Sequence, residues 1–317
     1  MDYIVALRKR CLFSKLTEAD VVIFHCLPRE LDSFFKAHPE VLSKNIIAYC
    51  YWEATDLPEC LKYLISFARE VWTCSKYCKT VFEKYHPSVI HVPHIVARNI
   101  TCSDESLVEI KRVISHAGSY TYFLTIASLG DRRKNVHLLI KEFHRLSSMM
   151  PGARLIVKTS PVDDNQQNIW DGNVIFISRQ LTYEQINALY SLADVYVSVH
   201  HSEAWGLTLS DSILFRKPII ATGYSGNMEF MNSENSFPLD YKEEYIHAED
   251  RVYLFNGNMK WAYPHVEHLD ETLLWLYHHK GDPCIRNRVE KACTDIRGFN
   301  ESAILEIMSA RLGALHM

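Results

Sequence analysis

Between residues 122 and 221 the chain sets five short apolar runs, most of them β-branched, at intervals filled by helix-period segments, and no other feature limits its fold so tightly. The runs fall at 122–127, 154–158, 174–178, 195–199 and 218–221. A run without polar alternation suits a strand buried on both faces, and parallel strands need long crossovers to join them. Helices supply the crossovers here. Val136, Leu139, Ile140, Phe143 and Leu146 make one apolar stripe, and Thr182 with Gln185 forms a capping box ahead of Ile186, Leu189 and Tyr190. The spacing predicts a doubly wound parallel α/β sheet, whose ligands bind beyond the carboxyl ends of its strands.

A second α/β unit precedes it. Strand-like runs at 20–26, 45–52, 70–74 and 88–93 alternate with helix-period segments at 58–69 and 75–85. A polar stretch at 99–120, with a short helix at 107–114, reads as the connection. With 317 residues the chain exceeds the usual single core, so the expected division is 1–112, 113–298 and a terminal helix segment 299–317. An apolar content of 48% excludes disorder, and a net charge of −4 excludes a protein built to coat nucleic acid. No run reaches membrane-spanning length, and the first ten residues carry their basic cluster after the apolar one, the reverse of a secretory signal. A cytoplasmic protein is expected, with peripheral membrane contact left open. Nine cysteines, an odd and scattered set without a C-x-x-C pair, favour reduced thiols over a disulfide framework or a zinc site, which makes the Asn99-Ile100-Thr101 sequon accidental. The pairs His200-His201 and His278-His279 have no partners at ligand spacing, so no metal is assigned.

The chemistry concentrates at 201–211. Glu203 and Asp211 stand eight positions apart around Gly206, where a buried strand gives way to a helix whose first N–H groups can face an anion. At about 1.5 Å of rise per residue the two carboxylates are separated by roughly 10 Å or more, enough to reach both ends of a sugar–diphosphate–ribose ligand. Glu203 would take the sugar and Asp211 the ribose, with Gly206, Leu207 and Thr208 offering donors to phosphate. Lys134, with its neighbours Arg132 and Arg133, stands just before a helix expected to begin at Asn135, so cations and free backbone donors would converge on one anion.

Glu203-x7-Asp211 resembles the E-x7-E signature of retaining glycosyltransferase family 4, with Asp for the second Glu. Lys217-Pro-Ile-Ile-Ala-Thr-Gly-Tyr-Ser-Gly226-Asn-Met-Glu-Phe continues the family pattern, and Asp131-Arg-Arg-Lys134-Asn135 resembles its basic phosphate loop. The resemblance runs in order over roughly 120–235. It implies the GT-B fold, two Rossmann-like doubly wound domains facing a cleft, with 301–312 returning to a first domain reduced in size. It makes Lys134 the phosphate lysine, although Ser128 stands where many members carry a further arginine. It sets Arg179 and Leu181, with 177–179, along the nucleobase, Gly226 and Asn227 along the sugar pocket, and Lys158 near the donor. Trp52 and Glu53 fall where many relatives present a functional histidine to the acceptor, Trp52 suiting a sugar face and Glu53 a hydroxyl. A core tryptophan with a capping glutamate fits those two residues equally, and His25 stands at a similar strand end.

The implied reaction is retaining transfer of a hexose or deoxyhexose from a UDP- or GDP-sugar to a saccharide or glycoconjugate hydroxyl, without a cofactor. The D-x-D of metal-dependent enzymes is missing, Asp163-Asp164 lying in a polar stretch, so a metal-independent enzyme is expected. The alternative is a sugar-nucleotide-binding module, or a subunit of a larger glycan-assembly enzyme.

Overall fold

Buried branched and aromatic side chains organise the first half into one parallel sheet. Its elements are β1 (Val21–Phe24), α1 (Leu31–Ala37), β2 (Asn45–Tyr49), α2 (Glu59–Ser66), β3 (Glu70–Thr73), α3 (Lys76–Phe82) and β4 (Val89–His91). The strands lie in chain order, each parallel to the next. The structure, a computed structural model, describes residues 7, 14–25, 31–96, 100–114, 120–160 and 168–315. Most of the first ten residues, Asn99 of the sequon and Asp163-Asp164 lie outside these. Ser75 starts α3 by accepting the Cys78 N–H at 3.2 Å, as an N-cap serine should.

The connection contains α4 (Asp104–Ile114), and the second half then builds a seven-stranded sheet from β5 (Thr121–Ile126), α5 (Val136–Arg145), β6 (Ala153–Lys158), β7 (Asn168–Asp171), β8 (Val174–Ile177), α6 (Tyr183–Leu192), β9 (Val195–Ser198), α7 (Leu207–Leu214), β10 (Ile219–Thr222) and β11 (Phe237–Leu239). The order is β11-β10-β9-β5-β6-β8-β7, so the winding reverses between β9 and β5. Such a reversal opens a crevice beyond the carboxyl ends of the two strands, and here it opens between the loops that carry Lys134 and Glu203. The capping box at Thr182 and Gln185 forms, and the sheet is doubly wound as its pattern predicts.

β7, antiparallel on the edge, and β11 were not expected from the sequence; both are short, and β7 is half exposed. Nor was the separate hairpin of β12 (Tyr241–Tyr245) and β13 (Lys260–Pro264), whose first strand reads YKEEY with no apolar face. Three helices close the chain: α8 (Val266–His278), α9 (Pro283–Asp295) and α10 (Glu301–Leu315). Among the described residues no helix is long and apolar enough to cross a membrane.

α10 lies on the first sheet. Ile304, Leu305 and Met308 bury against Ile47, Tyr49 and Trp72, each such side chain contributing about 1.5–3 kcal/mol. Glu70, buried beneath them, is satisfied by Arg311 and by the Trp72 Nε1–H at 3.0 Å. A larger core crosses between the halves, joining Trp52, Cys74 and Cys78 of the first to Ala204 and Trp205 of the second.

Candidate active site between the two sheets

The basic loop is built by Asp131. Its carboxylate accepts the Arg133 N–H at 3.1 Å, starting a single 3-10 turn over Arg132–Lys134. Asn135 follows in the left-handed region at φ 52°, so α5 starts at Val136, one residue later than expected, and Asn135 gives it no side-chain cap. This break in the helical path turns Arg133 and Lys134 towards the loop after β9.

There they meet Glu203. Lys134 Nζ donates to Glu203 Oε1, and Arg133 Nη1 donates to Glu203 Oε2 at 3.2 Å and to the Ser202 carbonyl at 2.8 Å. Arg133 Nη2 bonds Asp131 Oδ2 at 3.2 Å and lies 3.8 Å from Glu53 Oε1, which arrives from the first sheet in the loop after β2. Glu203 is 6% exposed. Burial alone would raise its carboxyl, but Lys134 and Arg133 outweigh burial and hold it at about 2. For Glu53 the balance reverses: burial, reinforced by Glu203, overcomes Arg133 and raises its pKa. Two carboxylates of opposite tendency therefore flank one guanidinium, a pattern that suits a fixed anion beside a proton acceptor.

The backbone under Glu203 is equally constrained. Its N–H donates to Ser225 Oγ at 2.8 Å and its carbonyl accepts from Gly226 N–H at 2.8 Å. A Cβ at position 226 would stand 1.8 Å from the Ala204 carbonyl oxygen. Gly206 caps α7 at φ 88°, a conformation natural to glycine, and no side chain caps the helix start. Leu207 is exposed there, and Thr208 and Asp211 are partly so, three positions apart and on one helical face.

The structure thus brings Glu203, Lys134, Arg133 and Glu53 together, with Gly206, Leu207, Thr208 and Asp211 along the adjoining helix. Other expected residues lie elsewhere. Trp52 is a packing residue, 3% exposed, stacked on Phe255 at 4.5 Å and donating to the Asp56 carbonyl; it offers no face to a sugar. Asn227 is fully buried, its Oδ1 accepting from His200 Nε2 at 3.1 Å and its Nδ2 donating to the Thr222 carbonyl at 3.0 Å, so its side chain braces the loop and lines no pocket. Gly226 is likewise sealed against backbone. Leu181 is buried in the core, and Arg179 is engaged with Glu109 of α4 at 2.7 Å. Arg132 is exposed at the turn, and Lys158 is buried, donating to the Thr159 carbonyl. His25 packs edge-on against Tyr49. Asp131 and Ser225, which orient the site, were not singled out from the sequence. Asp131 had a legible signal, an N-capping residue directly before a basic turn.

His94 packs edge-on against Trp205 at 5.6 Å, and burial, with His25 nearby, lowers its pKa to about 4. The unfolded chain therefore takes up this proton first. The stability it contributes is complete above pH 6.5 and is lost as the pH falls towards 4, up to about 3 kcal/mol. Urea titrations from pH 7 to pH 4.5 should show that loss, and His94→Asn should flatten the slope; an unchanged slope would place the acid sensitivity elsewhere.

Two α/β sheets meeting at a crevice beyond their strand ends define the GT-B architecture, and solved structures share it. The pneumococcal O-GlcNAc transferase GtfA, in complex with UDP and GlcNAc, superposes with a TM-score of 0.62 at 15% identity, covering 99% of this chain and 59% of its own. Anabaena Alr3699/HepE, in complex with UDP and glucose, gives 0.67 at 12% over 98% of this chain and 80% of its own. A UDP-forming α,α-trehalose-phosphate synthase from Burkholderia xenovorans gives 0.64 at 11%, over 100% and 78%. The chain thus spans about three fifths of the length of GtfA. Residues 108–237 match the family model described as glycosyl transferases group 1, a segment holding Lys134, Glu203 and Asp211. A comparison with curated proteins in sequence finds no match.

Proposed function

We propose that this chain is a nucleotide-sugar glycosyltransferase of the retaining type, moving a hexose or deoxyhexose from a UDP- or GDP-sugar to a saccharide or glycoconjugate hydroxyl. The observation that carries the reading is the convergence of Lys134 and Arg133 on Glu203 beside the uncapped start of α7, inside the segment that matches the family model. Cations and free N–H groups at one point stabilise a departing diphosphate as charge builds on it, so no metal is assigned to that step. An arriving diphosphate competes with Glu203 for Lys134. Its binding would free the Glu203 carboxylate to accept from sugar hydroxyls, while Asp211 holds the ribose. Glu53, with its raised pKa and its origin on the other sheet, is assigned to the acceptor hydroxyl. UDP- and glucose- or GlcNAc-bound relatives of the same fold support the donor class, and cytoplasmic placement is part of the proposal.

Lys134→Ala should weaken binding of UDP or GDP by about ten- to hundred-fold in calorimetry, the loss of one charge-assisted contact. Glu53→Gln should spare that affinity and depress transfer. Equal nucleotide affinity of the Lys134 variant and the parent would remove the proposed diphosphate site. A second reading, a donor-binding subunit without turnover, is favoured by the GtfA/B complex in which a neighbour of the same fold is known. Nucleotide binding without hydrolysis or transfer of any sugar nucleotide would select it.

A further inference from the structure

A cavity of about 370 Å³ opens between α3 and the β12–β13 hairpin, within the size range of small-molecule sites, and the residues assigned to transfer do not line it. Both halves build it. Lys76, Tyr77, Thr80 and Lys84 stand on α3 and the turn that continues it, across from Tyr224 and Glu243, with Thr55 from the loop after β2. Positions 76, 80 and 84 repeat every four residues, which puts two ammonium groups and a hydroxyl on one helical face. The opposite wall is held by a chain of hydroxyls. Tyr77 Oη lies 3.2 Å from Tyr224 Oη, and Tyr224 Oη donates to Glu243 Oε2 at 2.9 Å. A phenol has a single proton, so Tyr77 donates to Tyr224 and the chain runs from Tyr77 through Tyr224 to Glu243. Burial raises the pKa of both phenols and keeps them protonated. The rings of Tyr77, Tyr224 and Tyr241 meet edge-on in turn, with centroids 5.4 and 5.1 Å apart.

The groups that line this cavity are of mixed character. Lys84 Nζ spends one of its protons on the Thr55 carbonyl at 2.7 Å, Lys76 Nζ stands 3.5 Å from Glu229 Oε1 with its side chain 80% exposed, and Glu243 has a second carboxylate oxygen beside the one that holds Tyr224. An anion would meet Glu243, a cation would meet two lysines, and an apolar ligand would strip water from all three charges. Sugar hydroxyls both donate and accept, so they satisfy the whole set, and phenol rings suit the apolar faces of sugars. The surroundings decide which sugar. Thr55 is two residues past Glu53, and Tyr224 directly precedes Ser225, whose Oγ accepts the Glu203 N–H at 2.8 Å. We propose that the cavity is a subsite for a neutral oligosaccharide acceptor, holding its sugar residues beyond the one that receives the transferred group. The assignment rests on the transfer reading above. Glu243 lies past residue 237, outside the segment that the family model matches, so the signature residues could not reveal this wall.

An array of immobilised oligosaccharides, neutral and anionic, probed with the labelled full chain in the presence of UDP or GDP, tests this without turnover. Neutral members should be retained. Thr80→Trp, which fills the cavity from an exposed position, and Glu243→Ala, which removes its carboxylate, should each cut that retention at least about tenfold while nucleotide affinity in calorimetry stays level. Glu105→Trp, exposed on α4 away from the cavity, should match the parent. With nucleotide binding intact, retention of no member, of anionic members alone, or to an equal degree by the folded Thr80→Trp variant would overturn the subsite. A parent chain that binds neither UDP nor GDP would instead overturn the transfer reading.

Discussion

Glu203→Gln should cut turnover of the sugar nucleotide by about 100-fold or more, while affinity for the free nucleoside diphosphate stays level or tightens. The asymmetry follows from the ion pairs. Glu203 is the partner of Lys134 and Arg133, so its neutral variant releases both cations to a diphosphate while losing the group assigned to the sugar. Asp211→Asn should do the reverse, weakening free nucleotide and sugar nucleotide alike and raising KM, because both ligands contain the ribose. Calorimetry with UDP and GDP beside steady-state kinetics separates the two. If both variants weaken free nucleotide equally, or neither alters turnover, the division between the ends of the donor is wrong.

Gly226→Ala should destabilise the fold by more than about 3 kcal/mol or prevent folding. The added methyl would stand 1.8 Å from the Ala204 oxygen and 2.8 Å from that of Glu203, and neither is a flexible side-chain end that can step aside. Gly281→Ala, with nothing within 4 Å, is the matched control and should stay within about 0.5 kcal/mol of the parent. Urea midpoints that coincide for the two variants would show that the loop yields at no cost.

The same contrast between backbone and side chain explains what the chain reveals before its structure is seen. The alternation of runs such as Val195–Ser198 with capped helices predicts the doubly wound sheet because periodicity reports burial directly. Lys134, Arg133 and Glu203 were legible as a group because a strand-end loop and a helix start must face one crevice. Trp52, left open between core and cleft, and the side chain of Asn227, expected at the sugar pocket, were not decided by the sequence for a common reason. A side chain at a strand end points to the cleft or to the core according to what packs beside it, and Phe255 and His200 come from distant segments. The β12–β13 hairpin escaped because a polar strand has no periodic signal to read.

The crossing of one core between the halves has a mechanical consequence. Thr55 and Lys260 exchange hydrogen bonds, 3.2 Å from Thr55 N–H to the Lys260 carbonyl and 2.8 Å from Lys260 N–H to Thr55 Oγ1, while the Cys74 thiol donates to the Ala204 carbonyl at 3.4 Å. Glu229 reaches across to the Lys76 N–H at 2.8 Å. Hinge opening would have to break all of these and wet the Trp52–Phe255 stack in the same stroke. The molecule should therefore melt as one cooperative block, and traffic through its crevice must rely on the swing of side chains such as Lys134 rather than on rocking of the two sheets.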